Sequence, residues 1–181
     1  MRKWKRIYKI IFIILILIFL VFERFYLFIP NINPTYSKDI DRTNLNQVIS
    51  DYIINNYIIN NYGISKDQFN YKRFESHKVY KIKPRYGLQY VYIYTLYGIY
   101  ELENGKYQLG SGGANPLVII VNKGKNDRYS VLGYKDFDDI DDNNINLPPT
   151  ERKIFNEIDT DKLLKELNND IYSQMQGKLG I

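Results

Sequence analysis

Residues 89–106 read Gln-Tyr-Val-Tyr-Ile-Tyr-Thr-Leu-Tyr-Gly-Ile-Tyr-Glu-Leu-Glu-Asn-Gly-Lys. Tyr90, Tyr92 and Tyr94 alternate with Val91, Ile93 and Thr95, a period of two that predicts a strand over Gln89–Glu101. Asn104-Gly105 is the dipeptide of a type I′ hairpin turn, because both central residues of that turn need positive φ. The chain must therefore double back into a second strand from Lys106 to Leu109. The two faces of the longer strand differ in kind. The aliphatic one should meet a helix, and the one carrying Tyr86, Tyr90, Tyr92, Tyr94, Tyr97 and Tyr100 tolerates water. Tyr90, Tyr92 and Tyr94 are therefore the candidate recognition residues, although 18 tyrosines in the chain and their strand propensity also favour a purely structural role.

Outward from this hairpin, Phe74–Ile82 predicts a preceding strand ended by Pro84, and Leu117–Val121 and Arg128–Lys135 continue an antiparallel meander of four or five strands. Gly110 to Gly113 reads as a flexible turn. It is no phosphate cradle, since Pro116 and a β-branched strand follow where a helix N-terminus is needed. Before the meander, Leu45, Val48, Ile49, Tyr52 and Ile53 recur at helical steps, predicting a helix from Asn44 to Tyr62 with Gly63 as its stop. The tandem Tyr52-Ile-Ile-Asn-Asn and Tyr57-Ile-Ile-Asn-Asn has a period of five, which suits neither helix nor strand. After the meander, Pro149–Asn156 and Thr160–Gln176 predict two helices, the second terminated by Gly177. The expected class is α+β, a helix packed on an antiparallel meander as in a cystatin-like roll, with C-terminal helices on an edge or face.

The start of the chain has a different character. Ile10–Phe22 is an unbroken apolar run preceded by Arg2, Lys3, Lys5, Arg6 and Lys9. Lys9 and Arg24 can snorkel, extending the span to residues 7–29 with Trp4, Tyr8, Phe25 and Tyr26 as interfacial aromatics. The bulky residues Glu23 to Phe28 disfavour signal-peptide cleavage, so the segment reads as an uncleaved signal-anchor, a removed signal being the alternative. The basic leader stays in the cytoplasm by the positive-inside rule, and the rest lies outside. The expected division is residues 1–29 as leader and transmembrane anchor, 30–42 as a linker marked by Pro30 and Pro34, and 43–181 as one extracytoplasmic domain.

Charge and cysteine narrow the function. The net charge of +5 resides in the leader: setting aside its basic residues with Arg24 and Glu23 leaves nineteen basic and nineteen acidic residues. Nucleic acid is thereby disfavoured as a partner, because phosphate binding requires a surplus of gathered cations. The absence of cysteine excludes disulfides, thiolate metal sites and lipidation through a lipobox. Asp136–Asn144 is the one dense carboxylate stretch. It lacks the glycine and closing glutamate of a calcium loop, so it reads as a solvated acidic segment or a weak cation site. His77 is the only histidine, which excludes histidine-cluster metal hydrolysis, and neighbouring Ser76 points to the opposite face of a strand. Ser111 and Asp139 complete no recognisable triad with it. No catalytic residue, metal or cofactor is expected.

The segments Phe74–Tyr80, Tyr90–Tyr94 and Ser111–Ile119 resemble uncharacterised membrane-anchored proteins of Gram-positive bacteria, similar to accessory outer domains of sensor-type metallopeptidases of the β-lactam response. The resemblance implies an extracytoplasmic accessory domain and transfers no catalytic residue, since the His-Glu-x-x-His motif is absent. The expected function is a membrane-anchored binding or regulatory module without catalytic activity, held by the lipid bilayer and engaging a protein or envelope partner. An immunity or inhibitor-type protective protein is the second expectation, and a membrane-bound hydrolase the third.

Overall fold

The computed structural model describes residues 8–18, 33–62, 71–85, 87–136 and 149–180. Helix α1 occupies residues 8–18. A longer helical segment comprises α2 (Leu45–Tyr52), a π-helical turn π1 (Ile53–Tyr57) and α3 (Ile58–Tyr62). Four strands follow, β1 (Tyr71–Arg85), β2 (Leu88–Glu103), β3 (Lys106–Lys123) and β4 (Tyr129–Asp136), and then helices α4 (Pro149–Asn156) and α5 (Thr160–Leu179). The strands form one antiparallel meander in the order β1-β2-β3-β4.

Asn44 caps α2 by accepting from the backbone amides of Asn46 and Gln47. The five-residue repeat finds its explanation in π1. The Ile58 amide donates to the Ile53 carbonyl, the wider hydrogen-bonded turn of a π-helix, so Tyr57 returns to the same face as Tyr52 and both are buried. That face, with Val48, Ile49, Ile53 and Ile58, packs on Val91, Ile93, Ile99, Leu117, Ile119, Val121 and Val131 of the sheet. Asn56 and Asn55 on the outer side hold the incoming chain: Asn56 bonds both the amide and carbonyl of Thr35, and Asn55 bonds Ser37.

The opposite face of the sheet is also covered. α5 lays Ile171 and Met175 on Phe74 and Tyr100, while Ile154 and Phe155 of α4 pack on Tyr92 and Val118. The domain thus has a helix, a sheet and two helices in three layers, and the tyrosine face is largely an interior.

Several strand boundaries differ from those expected. β1 runs through Pro84, which an edge strand accepts because one side of it needs no ladder bond. β3 is one strand through Gly110–Gly113, so the meander has four strands and the glycines form no turn. Their role is close approach: a Cβ on Gly112 would lie 2.5 Å from the Tyr97 carbonyl oxygen, and one on Gly113 2.7 Å from the Tyr97 hydroxyl. α5 passes through Gly177 and ends at Gly180, whose φ of 73° supplies the left-handed cap. At the β2–β3 turn, Asn104 and Gly105 have φ of 49° and 76°, as the hairpin dipeptide requires. Gly63 lies outside the described residues.

α1 is shorter than the predicted span. Its 11 residues cover about 16 Å, and no helix among the described residues is long and apolar enough to cross a membrane. The rest of the predicted anchor, residues 1–7 and 19–29, and the linker up to residue 32 lie outside the described residues.

Candidate functional site

An open groove of about 310 Å³ lies in the sheet's outer layer, between the junction of α4 and α5 and β1. Asp159 fixes that junction by accepting from the Lys162 amide at 3.1 Å, starting α5 directly above β1. The floor is apolar, formed by Ile154, Ile158 and Leu163, and Tyr80 of β1 closes one side. Lys78, Lys162, Glu157, Asp159 and Glu166 form a rim of both signs. Lys78 Nζ lies 2.7 Å from Glu166 Oε2. This bond raises the Lys78 pKa and lowers that of Glu166, but both side chains are about half exposed and the pair adds little stability. Burial raises the Tyr80 pKa, which keeps its hydroxyl protonated. An apolar floor with a charged rim suits reversible recognition of a side chain or small organic group.

A second polar cluster lies under π1. Tyr57 donates to the Asp136 carboxylate, Asn115 Nδ2 donates to the Tyr57 hydroxyl at 3.3 Å, and the Tyr57 ring meets Tyr97 and Tyr134 edge-on at 5.3 and 5.0 Å. Burial, then the bond to Asp136, raises the Tyr57 pKa; burial, then the bond to Tyr62, raises that of Tyr97. On the neighbouring strand the Glu75 side chain is 2% exposed, and His77 Nδ1 lies 3.2 Å from its Oε2. The Tyr57 contacts tie β2, β3 and β4 to the helix.

The residues singled out from the sequence are dispersed. Tyr92 is 1% exposed beneath Phe155, their rings 6.2 Å apart, so it touches no partner while α4 is in place. Tyr90 and Tyr94 are half-buried. Tyr97 faces the long helix instead, Tyr100 lies under α5, and Tyr86 is outside the described residues. Ser76 donates to Asp170 on the outer face (3.1 Å), whereas His77 is on the inner face with Glu75. Ser111, opposite Ile99, is four strand positions from the level of His77, about 13 Å along the sheet. Asp136 ends β4 and accepts a hydrogen bond from the Tyr57 hydroxyl, while the rest of the acidic segment, residues 137–144 with Asp139, is outside the described residues. Among the described residues no group of three or more histidine and acidic side chains is placed to hold a metal ion.

The groove residues were not marked by the sequence pattern. Ile154 and Ile158 stand four apart with Leu163 following, a spacing that shows helices with an apolar side and leaves open what that side faces. Tyr80 lay within a predicted strand among so many tyrosines that nothing set it apart. Comparison with protein-family models, with curated proteins and with solved structures gives no match for the chain.

Proposed function

We propose that the chain is a single-pass, membrane-anchored binding or regulatory module without catalytic activity. Its N-terminus is cytoplasmic, its α+β domain lies outside the membrane, and the domain resembles a cystatin-like roll in its helix-then-meander order. One observation carries the reading. α1 exposes nine consecutive large apolar side chains, every residue from Ile10 to Ile18, at 42–64% each. Soluble domains rarely leave so continuous an apolar surface open to water. Lipid satisfies it, with the basic leader holding the N-terminal end inside. The sequence resemblance to membrane-anchored accessory domains points the same way.

The groove between β1 and the α4–α5 junction is the surface assigned to the partner or envelope ligand. The position of the reactive groups supports the non-catalytic reading: Ser76 bonds Asp170 and His77 bonds Glu75 on opposite faces of the sheet. The test is alkaline carbonate extraction of membranes carrying the full chain. An integral anchor keeps the chain in the pellet; release into the supernatant contradicts the reading.

A further inference from the structure

The residues that enter the domain lie along its long helical segment in reverse. Thr35 bonds Asn56 through both its amide and its carbonyl, Ser37 bonds Asp51, and the Asp41 amide donates to Gln47. From Asp41 back to Thr35 the chain therefore advances from the start of α2 to π1, as a strap pinned at three levels. Tyr36 fixes it to the sheet, its hydroxyl accepting from the Val131 amide at 2.7 Å. The helical segment begins beside Tyr129, whose carbonyl takes two bonds from Arg42, and reaches Tyr97, whose ring lies 6.1 Å from that of Tyr62. Tyr129 pairs with Lys123 at the end of the sheet where β3 turns into β4, whereas Tyr97 lies toward the Asn104-Gly105 turn. Followed toward its N-terminus, the strap points to the β2–β3 hairpin.

That end also carries exposed apolar side chains. Beyond α1, the large apolar residues exposed among the described ones are Tyr71, Ile82, Leu102, Leu109 and Tyr172, and all but Ile82 lie here. Leu109, 61% exposed, pairs with Tyr100 and reaches over Gly98; Leu102, 46% exposed, pairs with Tyr107. Tyr100 and Tyr107 belong to the cluster that Ile171 and Met175 of α5 cover, so the two leucines continue the outer face past its cover, with Tyr172 next to Ile171. Alternation turns Glu101 and Glu103 to the other face, where Tyr71 pairs with Glu101. Lys72, Arg73 and Lys106 are also at this end, so charges of both signs border the patch and its distinctive chemistry is apolar. Leucines edged by tyrosine suit the interfacial layer of a bilayer.

The length of chain between α1 and the strap favours the same end. Fourteen residues separate Ile18 from Asn33, at most about 50 Å of chain. An exit toward the hairpin leaves that length free, whereas presenting the opposite end to the bilayer would use much of it in doubling back along the sheet, whose 16-residue β2 spans about 50 Å.

We propose that the β2–β3 hairpin end of the domain faces the membrane that holds α1 and rests Leu102, Leu109 and Tyr172 in its headgroup layer. The proposal rests on the lipid reading of α1. The tether makes the contact intramolecular, so the apolar area of a few side chains suffices. The groove at the level of Tyr80 is then set back from the bilayer, open to a partner.

The test uses the isotopically labelled full chain in phosphatidylcholine nanodiscs with a nitroxide on a headgroup. Amide signals of Leu102–Leu109 and Tyr172 are expected to broaden several-fold more than those of Gly87 and Lys125–Arg128, and to do so equally in high salt, because the contact is apolar. Leu102→Ser with Leu109→Ser should reduce the effect roughly ten-fold while shifts elsewhere stay in place. Equal or greater broadening at Gly87, loss of the effect in high salt, or indifference to the double substitution overturns the docking alone. Elution of the chain apart from the discs overturns the lipid reading of α1 and the docking with it. Hairpin amides that ignore the nitroxide and shift only as more chains share a disc would assign the patch to a second copy and overturn the proposal.

Discussion

The Tyr57 hydroxyl donates to the Asp136 carboxylate, joining the π-helical turn to the last residue of β4 across 79 positions of sequence. Asn115 of β3 donates to the same hydroxyl, so one phenol links the helix to two strands. Tyr57→Phe removes both bonds and leaves their partners in a largely buried setting. A loss of about 1–3 kcal/mol is expected, read from urea unfolding. A loss within error would show that the network contributes no stability.

Burial raises the pKa of Tyr52, Tyr57 and Tyr97 above the ordinary phenol value of 10.0. A folded pKa above the unfolded one means that the native state binds the proton more tightly. The resulting stability is fully present below about pH 10 and is lost as the pH rises beyond it. Phenolate absorbance should therefore develop in two stages, exposed tyrosines first and the buried set only as circular dichroism reports unfolding. A single smooth titration with the fold intact is the contrary result.

The π turn carries one residue more than an α-helix needs to bring Tyr57 under Tyr52. Deleting the half-buried Ile54 should let the segment close as a plain α-helix with both tyrosines still inward, at a cost within about 2 kcal/mol. Deleting Ser50 from α2 instead rotates Val48 and Ile49 by about 100° relative to Tyr52 and should unfold the domain. Thermal unfolding of the two variants separates these outcomes, and equal losses would refute the role given to π1.

Much of the fold is legible in the sequence, and the misreadings have physical causes. The alternation in β2 and the Asn104-Gly105 turn are local signals, and each appears where expected. Gly110–Gly113 misleads because glycine serves turns and close backbone approach alike, and only the position of Tyr97 decides between them. Tyr92 looked like a recognition residue because its strand alternates cleanly, yet what covers it comes from α4, more than sixty residues later. The groove is equally non-local, built from β1 and a distant helix junction.

The covering of the outer face by α5 predicts a contrast between neighbouring residues. Ile171 is buried against Phe74 and Tyr100, whereas Tyr172 is exposed. Ile171→Ala should cost about 2–5 kcal/mol and Tyr172→Ala no more than about 0.5 kcal/mol by denaturant unfolding. Similar small losses would mean that α5 is no part of the core.

Gly112 offers a test of the continuous β3 strand. A methyl group there would meet the Tyr97 carbonyl oxygen at 2.5 Å, backbone that yields only by displacing the β2–β3 pairing. Gly112→Ala should destabilise by about 1–3 kcal/mol, while a flexible-loop glycine would accept alanine freely. Unfolding midpoints distinguish the two.

The chain contains no cysteine, so a single Asn168→Cys on the exposed side of α5 provides a clean topological probe. In intact cells making the full chain, a membrane-impermeant maleimide should label this thiol to the same extent before and after lysis. Labelling only after lysis would place the domain inside the cell and contradict the account of an anchor with its domain outside.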